Sequence, residues 1–251
     1  MRTPPSPDIW HRALPAAAAG RLRPGEAHLW LLSLADPPLP AQQLAGMLSG
    51  DERDRASRFH FEADRRHFEA GRGLLRWVLG HYAGVDPASV QFSYAPNGKP
   101  CLTHPESALQ FNLSHSGGWA LIGLTLGQQI GVDLEVMRDL PELLNIARTN
   151  FAPAEVEALL QLPPELRQAG YFACWTRKEA YIKAVGAGLS LRLDQFEVSV
   201  DPGQPAVLRA IGGSAVAARD WTLLGLRPFD AAWMAAAVNG TATRWHLYGT
   251  E

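Results

Sequence analysis

Apolar residues recur with two different spacings along this chain, and the spacings predict its helices and strands. Helical spacing is found at residues 41–58, 62–82, 142–149, 153–161 and 165–185. Short apolar runs predict strands at 28–34, 90–94, 110–113, 119–126 and 130–136, and again near 195–200, 206–211, 221–226, 232–238 and 243–248. Residues 1–26, rich in proline, alanine and arginine, are predicted to loop over the surface.

The order of these segments indicates two similar halves. A strand, then helices, then strands occupy residues 1–128, and the same order returns in residues 129–251. Because helices and strands are segregated rather than strictly alternating, the pattern favours an α+β fold with antiparallel sheets. We therefore expect two lobes, each with helices packed on a sheet, and a border near residues 127–131.

Composition narrows the functional classes. The 251 residues are 47% hydrophobic and 19% charged, which is typical of a globular protein. A net charge of -2 argues against a general nucleic-acid binder, so an anion site must be a local cluster of positive charge. Two cysteines, Cys101 and Cys174, make no disulfide framework. Neither a signal peptide nor a membrane-length apolar run is present, so we expect a cytoplasmic protein with no membrane partner.

The strand predicted at residues 130–136 carries two acidic residues in the sequence GVDLE. Alternation along a strand places Asp133 and Glu135 on one face and Val132 and Leu134 on the other. Neighbouring carboxylates repel each other unless a positive charge lies between them, and Mg²⁺ is a hard cation that takes such oxygens. The alternative is an ordinary polar strand face in water.

The helix predicted at 165–185 ends in the sequence WTRKEAYIKAVGAGL, which starts at Trp175. Glu179 and Lys183 are four residues apart, so they lie side by side on the helix surface. A carboxylate beside an ammonium could hold a cation and a phosphate together. The alternative is a solvent-exposed ion pair, which is common on helices.

Two further segments contain candidate phosphate contacts. The sequence FNLSHSGGW at residues 111–119 is predicted as a Ser/Gly-rich turn, in which Ser114 and His115 are competent phosphate donors. The sequence APNGKP at residues 95–100 is predicted as a hairpin turn with Lys99 at its exit. Either segment could equally be a turn without a functional role.

Four segments of this chain resemble, in order and spacing, the motifs of the Sfp-type 4'-phosphopantetheinyl transferases. They are NGKP, FNLSHSG, GVDLE and WTRKEAYIKAVGAGL, and the resemblance spans roughly residues 59–198. The pair formed by GVDLE and W-x-x-K-E-A-x-x-K is the specific part of this resemblance. It implies two lobes related by a pseudo-twofold axis, with coenzyme A in the cleft between them. It also implies transfer of 4'-phosphopantetheine from coenzyme A to a serine of an apo carrier protein, with release of 3',5'-adenosine bisphosphate.

The resemblance also implies roles for particular residues. Asp133, Glu135 and Glu179 would hold Mg²⁺, with Mn²⁺ as an alternative ion, and Lys183 would contact the phosphates. Glu179 is the first candidate for the base that takes the serine proton, and a water on the metal is the second. Ser114 and His115 would bind phosphate, and Lys99 would lie near the adenine and its ribose phosphate.

This sequence departs from the family at the position expected to contact the 3'-phosphate of coenzyme A. Several relatives have a basic residue where this chain has Glu62 and Ala63. Arg65 or Arg66 could substitute, although a solvated helix face explains them equally well. Arg72 could instead form a structural ion pair with an acidic residue on the facing helix.

Other functions remain open at the level of sequence. A metal-dependent phosphohydrolase could use the same carboxylates and give the phosphoryl group to water. A serine hydrolase built on Ser114 or Ser116 with His115 is less favoured, because no G-x-S-x-G elbow is present. A third alternative is a non-catalytic module that binds coenzyme A or a carrier.

The motifs do not identify the carrier, which could serve fatty-acid, polyketide, nonribosomal-peptide or lysine pathways. We expect a monomer, with Phe151 and the helix after Pro153 as candidate docking positions for an acidic carrier.

Overall fold

The computed structural model describes residues 11–12, 18, 22–240 and 243–249. Most of the segment 1–26, expected as surface loop, therefore lies outside the described residues. Within it, a short strand β1 covers His11–Arg12, and the first long strand already begins at Glu26.

The helices of the described part agree closely with the apolar spacing. Their bounds are α1 Ala41–Gly46, α2 Gly50–Ala56, α3 Glu62–Ala83, α4 Leu143–Asn150, α5 Pro153–Gln161, α6 Pro164–Val185 and α7 Ala215–Ala218. Three 3-10 turns cover Pro87–Ser89, Gly188–Ser190 and Leu193–Gln195. The single helix predicted over 41–58 is wrong, because a new helix begins at Gly50, where the Glu52 carboxylate accepts the N–H of Ser49 at 3.0 Å.

The predicted strands are present in the predicted order with changes in length, and two further strands, β1 and Pro100–His104, were not predicted. Their bounds are β2 Glu26–Ser33, β3 Gln91–Tyr94, β4 Pro100–His104, β5 Leu109–Ser116, β6 Trp119–Leu126, β7 Ile130–Val136, β8 Phe196–Val198, β9 Leu208–Ile211, β10 Trp221–Leu226, β11 Ala232–Asn239 and β12 Arg244–Gly249. The turn expected over 111–119 is wrong in its extent. Residues through Ser116 belong to β5, and only Gly117 and Gly118 form the turn to β6.

Two main sheets organise the described part of the chain. The first has five strands in the order β1-β12-β2-β6-β5, and the second has three in the order β10-β11-β7. Strands β3 with β4 and β8 with β9 form two antiparallel hairpins. Pairing within the main sheets is antiparallel except at β12, which runs parallel to both β1 and β2.

These elements stack in four layers, and apolar side chains fill each space between them. Helix α3 covers one face of the first sheet through residues such as Leu74 and Val78. Helix α6 covers the outer face of the second sheet at Trp233 and Ala235. The inner faces of the two sheets pack against each other in a third core. The α+β fold with helices on mainly antiparallel sheets is therefore confirmed, while the pseudo-twofold relation stays a prediction.

The last strand does not stay with the half of the sequence from which it comes. β12 pairs with β2 from Arg244 opposite Glu26 to Gly249 opposite Leu31, so it completes the first sheet. The division into 1–128 and 129–251 stays a prediction, with this strand as an exchange across the proposed border. In the described part of the chain, none of the helices is both long and apolar enough to cross a membrane.

Candidate active site

Strand β7 presents its acidic residues to helix α6. Alternation puts Val132 into the core between the sheets and Asp133 on the opposite face, where α6 packs. The approach is close, because a Cβ on Gly131 would lie 2.1 Å from the carbonyl oxygen of Ala180. The glycine before the acidic pair is therefore what lets the helix lie against the strand.

Polar side chains of β5 hold the edge of β7 in register. They accept hydrogen bonds from alternate N–H groups of β7 at 2.9–3.3 Å. The pairs are Asn112 with Val132, Ser114 with Leu134, and Ser116 with Val136. Since an edge strand offers backbone donors that need partners when buried, these side chains replace a strand and join the two sheets.

Asp133 is the most buried carboxylate at this junction. Its Oδ1 accepts hydrogen bonds from Lys183 Nζ at 2.6 Å and from Ser114 Oγ at 3.0 Å. Its Oδ2 is also buried but has no hydrogen-bond partner. A buried carboxylate oxygen without a donor is an available ligand position for a cation, because carboxylates accept through both oxygens.

The electrostatics of the three predicted metal ligands are coupled. Burial raises the pKa of Asp133 to about 6 against the opposing ammonium of Lys183, and Glu135 and Glu179 contribute to the rise. Burial also raises the pKa of Glu179, where Lys183 opposes the rise and Glu135 adds to it. Burial and mutual repulsion thus destabilise the ionised carboxylates here, and a bound cation would stabilise them.

The three carboxylates do not converge on one point. In the described residues, one trio of His, Cys, Asp or Glu has its ligand atoms within 4.8 Å of one another, and it lies elsewhere. Glu135 accepts a hydrogen bond from Ser116 Oγ at 3.1 Å and lies 3.7 Å from Arg138. An all-oxygen donor set and the unpartnered Oδ2 of Asp133 nevertheless fit Mg²⁺, with rotation of Glu135 away from Ser116 as the requirement.

Two adjoining cavities run along these residues and together form a cleft. The smaller has a volume of about 360 Å³ and is lined by Asp133, Glu135 and His115, among others. The larger has a volume of about 570 Å³ and is lined by Lys99, Asn97, Asn150 and Arg192, among others. Leu113, Glu179 and Lys183 line both cavities. Four of the predicted residues on α6 and β7 therefore face one continuous space.

Lys99 reaches this cleft from the hairpin of β3 and β4. Its Nζ donates hydrogen bonds to the carbonyl oxygens of Ile130 at 3.1 Å and Ala184 at 2.8 Å. These carbonyls belong to the start of β7 and the end of α6. Burial lowers the pKa of Lys99 to about 8, so its charge is held in a partly desolvated wall.

The two members of the serine-histidine pair face different surroundings. Ser114 is buried, donates to Asp133, and accepts from Lys183 Nζ at 3.0 Å. Its hydroxyl is thus committed to protein groups. His115 is exposed at the smaller cavity. Of the pair, only the histidine presents free surface for a phosphate.

The remaining predicted phosphate contacts lie away from the cleft. Arg65 and Arg66 both pair with Glu62 on the exposed side of α3, and Arg65 also reaches Glu69 at 2.8 Å. Neither arginine lines either cavity. The structural alternative given for Arg72 is confirmed, because its guanidinium pairs with the buried Glu52.

Helix α6 also contains a buried lysine for which the sequence indicated no role. Lys178 Nζ lies 2.7 Å from Glu155 Oε2 and donates to the carbonyl oxygens of Leu193 and Phe196. Since Leu193 lines the larger cavity, this contact fixes the cavity wall. Nothing in the local sequence indicates that Lys178 is buried, because its partners come from distant segments of the chain.

Phe151 is not available for docking, so that prediction is wrong. Its side chain is 3% exposed and stacks on Tyr171 at 5.4 Å in the core beneath α6. The helix after Pro153 does expose apolar surface, with Leu160 being 38% exposed.

Sequence comparison identifies the class to which this fold and cleft belong. The family model described as "4'-phosphopantetheinyl transferase superfamily" matches residues 129–235. A second family model, described as "4'-phosphopantetheinyl transferase, N-terminal", matches residues 39–125. The two matches together cover both halves of the chain and both walls of the cleft.

Individual relatives agree with these matches. The 4'-phosphopantetheinyl transferase HetI of Nostoc sp. is 43% identical over 243 residues, 95% of this chain and 99% of the relative. Sfp of Bacillus subtilis is 32% identical over 166 residues, 65% of this chain and 72% of the relative. A mouse L-aminoadipate-semialdehyde dehydrogenase-phosphopantetheinyl transferase is 27% identical over 66% of this chain and 57% of the relative. The chain belongs to the 4'-phosphopantetheinyl transferase family and is a transferase of that class.

Proposed function

We propose that this enzyme transfers 4'-phosphopantetheine from coenzyme A to a serine hydroxyl of an apo carrier protein, with Mg²⁺ as cofactor. The serine oxygen forms a bond to the phosphorus that carries pantetheine, and the bond to the second phosphate breaks. The products are the holo carrier and 3',5'-adenosine bisphosphate. Family membership supports the transfer, and the cleft supports the choice of donor and ion.

The observation that carries this proposal is the buried Asp133 with one oxygen paired to Lys183 and the other without a partner. A carboxylate held in this way attracts a cation, and the lysine beside it attracts an anion. Metal–diphosphate substrates present both charges together.

Asp133, Glu135 and Glu179 are the residues that would hold Mg²⁺. When bound, the ion supplies positive charge for the diphosphate oxygens and for the phosphate that leaves. Lys183 is 30% exposed at the cavity, so its ammonium can bind the same phosphates once Asp133 has another partner. His115 adds a donor at the exposed end.

Glu179 is our assignment for the group that accepts the serine proton. It lines both cavities, and burial raises its pKa above the usual range for glutamate. A more basic carboxylate is a better proton acceptor near neutral pH. Its two oxygens allow one residue to serve the ion and the proton.

The larger cavity is our assignment for the nucleotide part of coenzyme A. Its volume of about 570 Å³ is within the usual range for a cofactor site. Lys99 and Arg192 provide cations in its wall for the ribose phosphate. Arg65 and Arg66, the candidates suggested by the resemblance, line neither cavity, so this proposal uses Lys99 and Arg192 instead.

Intact-mass spectrometry of an apo carrier tests the proposal directly. The enzyme, coenzyme A and Mg²⁺ should add one phosphopantetheine unit, and EDTA should abolish the addition. Glu179→Gln and Asp133→Asn should each lower the rate about 100-fold or more, since each removes a carboxylate that would hold Mg²⁺. Glu165→Gln is the matched control, because it changes an exposed glutamate on the same helix.

The outcomes separate the proposed transfer from its alternative. Cleavage of coenzyme A without any mass gain on several carriers would establish a phosphohydrolase instead. A mass gain that survives EDTA would refute the role given to Mg²⁺. We also propose that the enzyme acts as a monomer, which light scattering of the active sample checks.

A further inference from the structure

Two histidines and a glutamate lie together on the first sheet, where β12 joins it. His246 of β12 is paired directly with His28 of β2, and their ring centroids are 5.0 Å apart. Glu26 lies two residues before His28, so its side chain is on the same face. The strand register alone therefore places the three side chains together.

The three side chains have the spacing of potential metal ligands. Their ligand atoms all lie within 4.8 Å of one another, which no other trio among the described residues achieves. Bonds of about 2.0–2.2 Å from zinc to nitrogen or oxygen require ligand atoms about 3.5 Å apart. Side-chain rotation must therefore bring the ligand atoms closer together for an ion to bind.

Unpartnered nitrogen atoms at this place provide a second, independent observation. The Nε2 atoms of His28 and His246 are both buried and without a hydrogen bond. His28 is fully buried, and His246 Nε2 is still 3.7 Å from Glu26 Oε1, too far for a hydrogen bond. Since buried polar atoms normally find partners, two such nitrogens beside a carboxylate are available to bind a ligand.

The opposite nitrogen of His28 has the support expected for a ligating histidine. His28 Nδ1 lies 2.6 Å from the hydroxyl of Tyr82, which also accepts a hydrogen bond from Trp30 Nε1 at 3.1 Å. A ring held at Nδ1 has its orientation fixed and can direct the Nε2 lone pair at an ion.

The place is open to an ion from the surface. Glu26 is 14% exposed and His246 is 29% exposed in their side chains. Arg244 lies 3.3 Å from Glu26, but its side chain is 75% exposed and is free to move away. A cation could therefore enter without disturbing the core.

We propose that Glu26, His28 and His246 bind a divalent transition-metal ion of the Zn²⁺ type. Imidazole and carboxylate ligands suit such an ion, and a water can complete its coordination. The bound ion links β12 to β2, so it fastens the end of the second half of the sequence to the first sheet. Its role is structural, because the site shares no lining residue with the cleft.

Binding of Zn²⁺ and Co²⁺ to the whole enzyme tests this site. Calorimetry in excess Mg²⁺ should show one Zn²⁺ per chain, and Co²⁺ should give the visible spectrum of a low-coordinate nitrogen site. His246→Ala and Glu26→Gln should each weaken binding at least tenfold. The control His60→Ala changes an exposed histidine outside the site and should leave binding unchanged.

Two further variants keep the result unambiguous. His246→Gln conserves size, and retained phosphopantetheinyl transfer shows that it folds. Asp133→Asn should keep the Zn²⁺ binding, which separates this site from the carboxylates of the cleft. Zn²⁺ should raise the melting temperature of the natural protein but not of His246→Ala. Absence of binding, or equal affinity in His246→Ala, would overturn the proposal.

Discussion

The ammonium group of Lys99 donates hydrogen bonds to two backbone carbonyls in the wall of the cleft. Both acceptors, at Ile130 and Ala184, are at the ends of elements that carry the candidate catalytic residues. Burial lowers the pKa of this lysine to about 8. Its positive charge is therefore present at neutral pH and is lost as the pH rises past about 8.

We predict that the affinity for 3',5'-adenosine bisphosphate falls about tenfold between about pH 7 and about pH 9, because a charge-assisted contact is lost. In Lys99→Met the affinity should be lower at neutral pH and nearly independent of pH. Calorimetric titration at each pH measures this. The same pH dependence in Lys99→Met would contradict the assignment of Lys99 to the nucleotide.

Lys178 and Glu155 form an ion pair that is closed to solvent. Glu155 also accepts the N–H groups of Ala152 at 2.8 Å and Val198 at 2.7 Å. Burial raises the pKa of Glu155, and Lys178 opposes that rise. The pair thus ties α5, α6 and β8 together at the back of the larger cavity.

Lys178→Met should lower the free energy of unfolding by about 3–5 kcal/mol, because it leaves a buried carboxylate unpaired. Adding Glu155→Gln should restore part of the loss, since it removes the unpaired buried charge and its amide oxygen still accepts one of the two N–H groups. Urea denaturation measures both variants. Arg192→Met breaks an exposed ion pair with Asp194 and should cost less than about 1 kcal/mol. A similarly small effect for Lys178→Met would refute the argument.

At the scale of elements, the contact between α6 and β7 assembles the site. α6 ends at Val185, and the next residue, Gly186, has a φ of 71°, in the left-handed region that glycine adopts without strain. The helix and strand approach most closely at Gly131, where backbone atoms of Ala180 and Ala184 occupy the space of a side chain. The distance between Asp133 and Lys183 depends on this approach.

Gly131→Ala should destabilise the protein by about 3 kcal/mol, because the added methyl group meets backbone atoms that cannot rotate away. The variant should also lose transferase activity, since α6 must shift away from β7. Gly50→Ala is the matched control, because nothing lies within 4 Å of its added methyl. Denaturation curves and the carrier assay measure the two effects, and an unperturbed Gly131→Ala would contradict the packing argument.

At the scale of the whole molecule, three cores are linked through two sheets. Leu247 of β12 and Leu29 of β2 pack in the same core as Val132 and Met234 of the second sheet. β12 also contributes Tyr248, which stacks on Trp30 with centroids 4.7 Å apart. Loosening the first sheet should therefore loosen the second.

We predict that the described part of the chain unfolds in one transition. Tyr248→Ala should cost about 3 kcal/mol in the first sheet. In a Cys101→Ser background, Tyr248→Ala should increase the rate of thiol labelling of Cys174 by about 100-fold. Cys174 is buried beneath α6. Unchanged labelling of Cys174 would show that the two halves unfold separately.

Local sequence patterns were sufficient to predict most of the elements and the candidate residues of the cleft. Local periodicity gave β6, α5 and β10 with their observed bounds, because apolar spacing is a property of neighbouring residues. Alternation put Asp133 and Glu135 on one strand face, and helical spacing put Glu179 and Lys183 on one helix face. These relations need no knowledge of the rest of the chain.

What each candidate contacts depends on the tertiary structure. It committed the Ser114 hydroxyl to Asp133 and Lys183, and it buried Lys178 against Glu155. It also placed His246 opposite His28, although 218 residues separate Arg244 from Glu26 in the same pairing. Such contacts join segments distant in sequence, and their energy depends on burial and packing that no local pattern encodes.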